Sequence, residues 1–211
     1  GETGSKSYWT KTHMNWLTHR ISHSDKLLQA ELEVLVHQLE MLGFAIDDYD
    51  RKINELAERK RYVKAKNALL CFRGIDTLTA MTIITEIGDV KRFEHPKKLT
   101  SYSGLDVKEY SSGGKEKRMG ITKIGNSWIR KTIVESCQLT SQPRKLSRKL
   151  AASRKGQPLE VVSIAERCDK RLAIKAGRMH FAGKHVNKIK VACAREKLCF
   201  VWEVLKAVAA N

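Results

Sequence analysis

Residues 28–56 have the sequence LQAELEVLVHQLEMLGFAIDDYDRKINEL, and this stretch indicates the fold class. Its apolar side chains recur at alternating steps of four and three residues, which is the spacing of a four-heptad coiled-coil seam. The seam consists of Leu28, Leu32, Leu35, Leu39, Leu42, Ile46, Tyr49, Ile53 and Leu56. Ser24 and Asp25 precede the seam and can cap the start of a helix. We predict a long helix that self-associates through this seam, with an intramolecular helical hairpin as the alternative.

The rest of the chain is also predicted to be mainly helical. Prolines are scarce, and amphipathic stretches follow turns that contain glycine or proline. The predicted helices cover residues 78–87, 127–139, 158–176 and 187–209. We therefore predict an all-α fold, in which a helical coiled-coil oligomerisation region at residues 1–66 precedes a compact basic domain at residues 67–211.

Charge is distributed unevenly between these two regions. The chain has a net charge of +17, and residues 67–211 contribute 29 Lys and Arg against 13 Asp and Glu. A field of one sign over one region favours a polyanionic partner, because binding releases the counterions of that partner. A protein that served oligomerisation alone would leave this charge without a purpose.

Cysteine usage and hydropathy indicate the class of protein. The five cysteines form no C-x-x-C pair, which is typical of small core residues in a reducing compartment. No run approaches the roughly 18 apolar residues of a membrane span, and no charged-then-apolar signal segment opens the chain. We expect a soluble intracellular protein with no membrane partner.

The segment RGIDTLTA at residues 73–80 is similar to a helix-hairpin-helix element. Gly74 would let a phosphate approach the backbone, while Thr77 and Thr79 lie at the start of the following helix. Asp76 stands where that element usually has its second glycine, and it would instead cap the helix and repel phosphate. Contact with DNA and a plain turn between two helices are equally compatible with the segment.

The segment YSSGGK at residues 110–115 is predicted to form a flexible glycine loop, in which Ser112 and Ser111 are possible nucleophiles. Hydroxyl, amide and cationic side chains follow around a second glycine turn, a mixture typical of contact with a nucleic-acid backbone. The candidate contacts are Gly113, Lys115, Lys117, Arg118, Thr122, Lys123, Gly125, Asn126, Arg130 and Lys131. A solvated basic face is the alternative. A serine needs a base or a metal ion to activate it, and the acidic residues form no obvious cluster, so we predict no metal site in this chain.

The order of several motifs then identifies a family resemblance. These are GIDTLTA at 74–80, EIGD at 86–89, Arg92-Phe93, Tyr102-x-Gly-Leu, YSSGG at 110–114, GITK-x-GN at 120–126 and Ile129-Arg130. The chain resembles the carboxy-terminal half of insertion-sequence transposases related to the Piv invertase, which are bridge-RNA-guided recombinases. The resemblance extends to the segment around Trp9, His13 and Trp16 and to the closing Phe200-x-Trp202.

The resemblance implies a two-part active site. An amino-terminal RuvC-like domain with four acidic ligands of DEDD type would hold Mg²⁺, and this chain would hold no cofactor. Ser112, followed by Gly113, would be the nucleophile that forms a covalent serine–DNA linkage, with Ser111 as the second choice. The implied partners are DNA, a structured guide RNA and further copies of the chain, in a bacterial or archaeal cytoplasm at the nucleoid.

That acidic domain is expected to be missing from this chain, which by itself would bind DNA rather than cut it. A non-catalytic, dimeric nucleic-acid-binding module is the alternative function.

Overall fold

The structure is a computed structural model that describes residues 8–112, 115–138 and 145–210, with backbone alone at 109–112 and 115–119. Nine α-helices, one 3₁₀ helix and one antiparallel two-stranded sheet occur within these residues, so the predicted all-α, mainly helical class is confirmed. The elements are α1 Lys11–Ser22, α2 Lys26–Ala57, α3 Lys60–Leu70, α4 Thr77–Ile87, a 3₁₀ helix Val90–Arg92, α5 Pro96–Tyr102, β1 Val107–Ser112, β2 Lys115–Ile121, α6 Ser127–Glu135, α7 Arg148–Arg154, α8 Leu159–Phe181 and α9 Val186–Ala210.

The predicted coiled-coil segment is one continuous helix of 32 residues. Asp25 caps its start, because the Asp25 carboxylate accepts a hydrogen bond from the Leu27 amide at 2.9 Å. The seam lies largely exposed within the single chain: Leu39 is 38% exposed and Leu42 is 63% exposed. Of all residues in α2, only Ala57 is buried.

The chain divides into two compact units between Lys52 and Ile53. The first unit contains α1, where His13 and Ile21 are buried. Trp9, which precedes α1, is 65% exposed. The predicted boundary after residue 66 lies within α3, which packs against α4, α7 and α9 of the second unit.

Helix α9 organises the core of the second unit. It packs against α3, α5, α6, α8 and the 3₁₀ helix, and its buried face includes Cys193, Leu198 and Val201. The Trp202 indole donates a hydrogen bond to the Phe93 carbonyl at 2.8 Å, which ties α9 to the segment before α5. Four cysteines are buried and Cys199 is half-buried, as expected for thiols that serve as core residues.

The predicted glycine loop around Ser111 and Ser112 is a β-hairpin in the structure. Both serines belong to β1, and Ser112 pairs with Lys115 across the sheet. The register shifts between Val107 and Glu109, which marks an irregularity near the base of the hairpin. Two strand-like runs joined by Gly-Gly are a general hairpin signal, so the sequence contained the information that corrects our loop prediction.

Candidate nucleic-acid interface

The hairpin stands on two loops whose backbones interlock. Three hydrogen bonds join the loops: Lys123 N–H to Gly104 O at 3.0 Å, Asn126 N–H to Tyr102 O at 2.7 Å and Thr122 N–H to Asp106 O at 2.8 Å. Gly125 has a φ of +123°, and a Cβ there would collide with the Tyr102 carbonyl. Glycine is therefore needed for the two loops to approach this closely.

Asn126 connects this base to the start of α6. Its side-chain oxygen accepts a hydrogen bond from the Ile129 amide at 2.9 Å, which caps the helix. Its amide nitrogen donates to the Glu86 carboxylate at 2.6 Å. The side chain that we predicted to contact nucleic acid is thus engaged within the domain.

Arg130 is also engaged within the domain. Its guanidinium donates to the carbonyl oxygen of Ser103 at 2.8 Å, next to the interlocked loops. This bond stabilises the base of the hairpin from the side of α6. Removing Arg130 would therefore affect the fold as well as any phosphate contact.

Arg92, Phe93 and Tyr102 form a cluster beside the base of the hairpin. Nothing in the sequence indicated this cluster beyond the occurrence of the three residues in family motifs. The Arg92 guanidinium lies 4.6 Å from the ring centroids of both Phe93 and Tyr102. The hydrogen bond from Arg92, and then that from Asn126, lower the pKa of the Tyr102 phenol. Arg92 is exposed, so this cluster presents a cation on the surface close to the loops.

Two predicted contact residues are exposed cations. Lys123 follows β2 in a left-handed conformation with φ +57°, which non-glycine residues seldom adopt. Lys131 lies on α6, with its ammonium 5.8 Å from the ring centroid of Trp128. Thr122, which directly precedes Lys123, is half-buried. These residues can contact a phosphodiester backbone without losing bonds that the fold requires.

The remaining predicted residues of the hairpin are placed by backbone only. Ser111 pairs with Glu116, and Lys117 pairs with Tyr110. The side chains of Ser111, Ser112, Lys115, Lys117 and Arg118 lie outside the described residues, as does Gly113. The sheet nevertheless puts both candidate nucleophiles at the end of β1 and the three cations on the strand beside it.

The turn between α3 and α4 is shaped by packing. Asp76 caps α4 by accepting a hydrogen bond from the Thr79 amide at 2.8 Å, as we predicted for an Asp at this position. Gly74 has a φ of +76°, and a Cβ there would collide with the Ser136 carbonyl. Thr77 and Thr79 are half-buried in the first turn of α4. The geometry thus explains this glycine by contact with α6, with no need for a ligand.

A buried lysine that the sequence interpretation missed lies behind this turn. Lys197 of α9 is 2% exposed, and its ammonium donates to Arg73 O at 2.6 Å, Ser136 O at 3.1 Å and Ser136 Oγ at 2.8 Å. Burial lowers the pKa of Lys197. The three acceptors satisfy its three donors, so Lys197 joins α9 to the α3–α4 turn and to the end of α6.

The described residues do not supply a metal centre. Within residues 8–112, 115–138 and 145–210, no three His, Cys, Asp or Glu side chains are grouped so that they could hold an ion. A groove of about 450 Å³ lies between α3, α4 and α9, but it contains none of the predicted site residues. No described helix combines the length and apolarity required to cross a bilayer.

Comparison with known proteins places this hairpin within a matched region. Residues 66–152 match the family model described as Transposase IS116/IS110/IS902 family. The match begins inside α3 and ends inside α7, so it includes the α3–α4 turn, the hairpin and α6.

Individual relatives agree with this match. The protein y4qE of Sinorhizobium fredii, which carries a transposase designation, is 29% identical over 95% of this chain and 48% of its own length. The transposase for insertion sequence element IS1533 of Leptospira borgpetersenii is 28% identical over 78% of this chain and 48% of its own length. The transposase for IS1328 of Yersinia enterocolitica is 32% identical over 46% of this chain and 28% of its own length.

The chain spans about half the length of the first two of these curated relatives. The predicted resemblance to insertion-sequence transposases is thereby confirmed at the level of the domain. The chain carries, at residues 66–152, a domain that is similar to the transposases of the IS116/IS110/IS902 family.

Proposed function

We propose that the second unit binds DNA and supplies a serine nucleophile for strand cleavage and exchange in transposition. The main support is the placement of Ser111 and Ser112 at the end of β1, opposite a strand with three cations, on a base fixed by interlocked loops. The match of residues 66–152 to a transposase family supports DNA as the substrate of these serines. The net charge of +16 over residues 67–211 supplies the attraction for a polyanion.

Ser112 is the proposed nucleophile. Its oxygen would attack the scissile phosphorus, forming a serine–phosphate bond while the bond from phosphorus to the 3′ oxygen breaks. The hydroxyl proton leaves the serine, and the released 3′ oxygen takes up a proton. One phosphodiester replaces another, so a new 3′ hydroxyl can later attack the serine–phosphate linkage and rejoin the strand.

A serine hydroxyl needs activation, and the described residues hold no metal site. We propose that acidic ligands for Mg²⁺ come from a RuvC-like part of the active protein, and no step above is assigned to an ion on this chain. We further propose that a structured guide RNA selects the DNA, because contacts with phosphates alone do not read sequence. The protein would then act in the cytoplasm, at the nucleoid.

Self-association through α2 is the remaining part of the proposal. The seam of α2 is mostly exposed within one chain, and coiled-coil partners bury such seams. A second copy of α2 would cover the same apolar positions on both chains.

A second candidate function is a dimeric module that binds nucleic acid without cutting it. It is favoured by one observation: Gly74, Gly125, Asn126 and Arg130 make contacts that the fold itself needs. A scaffold that had lost its chemistry would still retain these residues.

The experiment that separates the two candidates is capture of the covalent intermediate. A full-length protein that includes the acidic part should form a denaturation-resistant adduct with cleaved DNA. Ser112→Ala should abolish the adduct and leave DNA affinity nearly unchanged, because one hydroxyl and no charge is removed. Ser111→Ala should have a milder effect. If only Ser111→Ala abolishes the adduct, the nucleophile is Ser111. If the adduct forms and neither change affects it, the nucleophile lies elsewhere in the protein, and if no adduct forms at all the protein does not cut by this route; in both cases this chain is the binding module.

A further inference from the structure

Two large apolar side chains are exposed beside the base of the hairpin. Ile124, in the loop after β2, is 76% exposed, and Trp128, in the first turn of α6, is 62% exposed. The positions are four residues apart. Exposure of single apolar side chains is common and does not by itself mark an interaction site, so the surroundings of these two side chains decide.

The backbone on both sides of Ile124 is fixed. Lys123 donates to Gly104 O, and Asn126 donates to Tyr102 O. Trp128 lies within the helical turn that Asn126 caps. Both side chains therefore project from an ordered backbone, and a ligand that binds them pays little entropy for ordering the segment.

Cations flank the two apolar groups. Lys131 places its ammonium 5.8 Å from the ring centroid of Trp128. Lys123 directly precedes Ile124 and is held in a left-handed conformation, a strained backbone state that is enriched at functional sites. An aromatic face next to cationic side chains is the combination with which proteins bind unstacked bases and their phosphates.

We infer that Trp128 stacks on an unpaired base of DNA, while Lys123 and Lys131 contact the flanking phosphates and Ile124 packs against the same base. A base can offer its face to an indole only after it leaves the duplex stack. Two apolar side chains between lysines are too small a patch for the core of a stable protein interface, whereas they match one base. DNA is favoured over RNA because this patch directly follows β2, which pairs with β1, and β1 carries the proposed nucleophiles Ser111 and Ser112 at its far end.

This inference rests on the proposed function, since it takes the nucleic acid bound at the hairpin to be DNA. The test uses the whole chain and three short fluorescein-labelled duplexes: one fully paired, one with a single bulged thymine, and one with an abasic site in the bulge. Fluorescence anisotropy gives an affinity for each. The unmutated chain should prefer the bulged thymine over the abasic site by roughly tenfold, the scale of one base stacked on an aromatic side chain.

Variants then assign the preference to Trp128. Trp128→Ala should remove the preference, and Trp128→Phe should retain most of it because a ring remains. Phe181→Ala is the matched control, since Phe181 is an aromatic residue of α8 that is 96% exposed; it should leave the preference unchanged.

Three results would overturn the inference. One is a preference that survives Trp128→Ala. Another is a stronger, Trp128-dependent preference for an RNA bulge of the same sequence, which would assign the base to RNA. The third is a change of molecular mass on Trp128→Ala in light scattering, which would assign the patch to a protein contact. Binding of the unmutated chain to the fully paired duplex tests general DNA binding. If the unmutated chain does not bind that duplex, the proposed function is contradicted, whereas loss of the preference for the bulged thymine contradicts the stacking contact.

Discussion

At the scale of single residues, Lys197 shows how a buried charge can be tolerated. Moving an ammonium out of water costs several kcal/mol, and the lowered pKa of Lys197 reflects this cost. The offset comes from three acceptors, of which Arg73 O lies in the α3–α4 turn while Ser136 O and Ser136 Oγ lie at the end of α6. Carbonyls at helix ends carry partial negative charge, which favours a cation there.

Lys197→Met should therefore lower the stability of the second unit. The methionine fills similar space but leaves Arg73 O and Ser136 O without their donor, and buried groups that lose a partner cost about 1–3 kcal/mol each. We expect a loss of about 2–4 kcal/mol in the free energy of unfolding, measured by urea titration with circular dichroism. Lys188→Met, at an exposed position of the same helix, should change it by less than about 0.5 kcal/mol. Equal effects of the two substitutions would contradict the bridging role.

Substitution of Arg130 should lower the stability of the fold, whereas substitution of its neighbour Lys131 should lower DNA affinity. Arg130→Ala removes the donor to Ser103 O and should cost about 1–3 kcal/mol of stability. Lys131→Ala removes an exposed cation and should leave stability within about 0.5 kcal/mol.

The DNA affinity of Lys131→Ala should fall, and the slope of log affinity against log salt should become shallower by about one unit. Fluorescence anisotropy at several salt concentrations measures this slope, and thermal melts monitor the fold. A stable Arg130→Ala variant together with an unstable Lys131→Ala variant would contradict the structural role of Arg130 and the DNA-binding role of Lys131.

At the scale of elements, the helices were the predictable part of the fold. The predicted helix at 187–209 matches α9 at Val186–Ala210, and the predicted helix at 78–87 matches α4 at Thr77–Ile87. Their apolar period and flanking glycines act locally, so one sequence contains enough information. The hairpin was missed because its strands are short and polar, and glycine pairs suggest mobility as readily as a tight connection.

The site was predictable only as a list of residue types. The sequence grouped Asn126, Arg130, Lys123 and Lys131 by composition, and it could not separate those that bind internally from those that face solvent. That separation depends on distant partners such as Glu86 and Ser103. Contacts across tens of residues have no local signature, which is also why the bridging role of Lys197 was missed.

The α3–α4 turn offers a prediction with a close control. Gly74 and Gly156 have nearly equal φ angles of +76° and +77°, but only a Cβ at Gly74 would meet another backbone, at Ser136 O. Gly156→Ala should cost about 1–2 kcal/mol for the left-handed conformation alone. Gly74→Ala should cost at least about 1–3 kcal/mol more, because overpacking is added to the same strain. Chemical denaturation of both variants measures the difference, and equal losses would show that the close contact with α6 carries no energy.

At the scale of the whole molecule, charge and apolar surface are divided between the two parts of the chain. Residues 1–66 are nearly neutral and contain the exposed seam of α2, whereas residues 67–211 hold almost all of the net charge. Such a division lets one part associate with like copies without the repulsion that a net charge of +16 would produce at a shared interface.

The final prediction concerns that association. We expect the chain to be at least dimeric at micromolar concentration, because a seam of nine apolar residues at heptad spacing is stabilised when another copy covers it. Leu42→Asp places a carboxylate in the middle of the seam, where burial would leave it without a counter-charge, and the dissociation constant should rise at least about 100-fold. His37→Asp introduces the same carboxylate on α2 at an exposed position outside the seam, and it should leave the mass unchanged. Multi-angle light scattering across a dilution series distinguishes these cases. A monomeric mass for the unmutated chain, or equal dissociation by both variants, would show that the seam is not the contact. Dissociation by Leu42→Asp alone would assign self-association to the seam of α2.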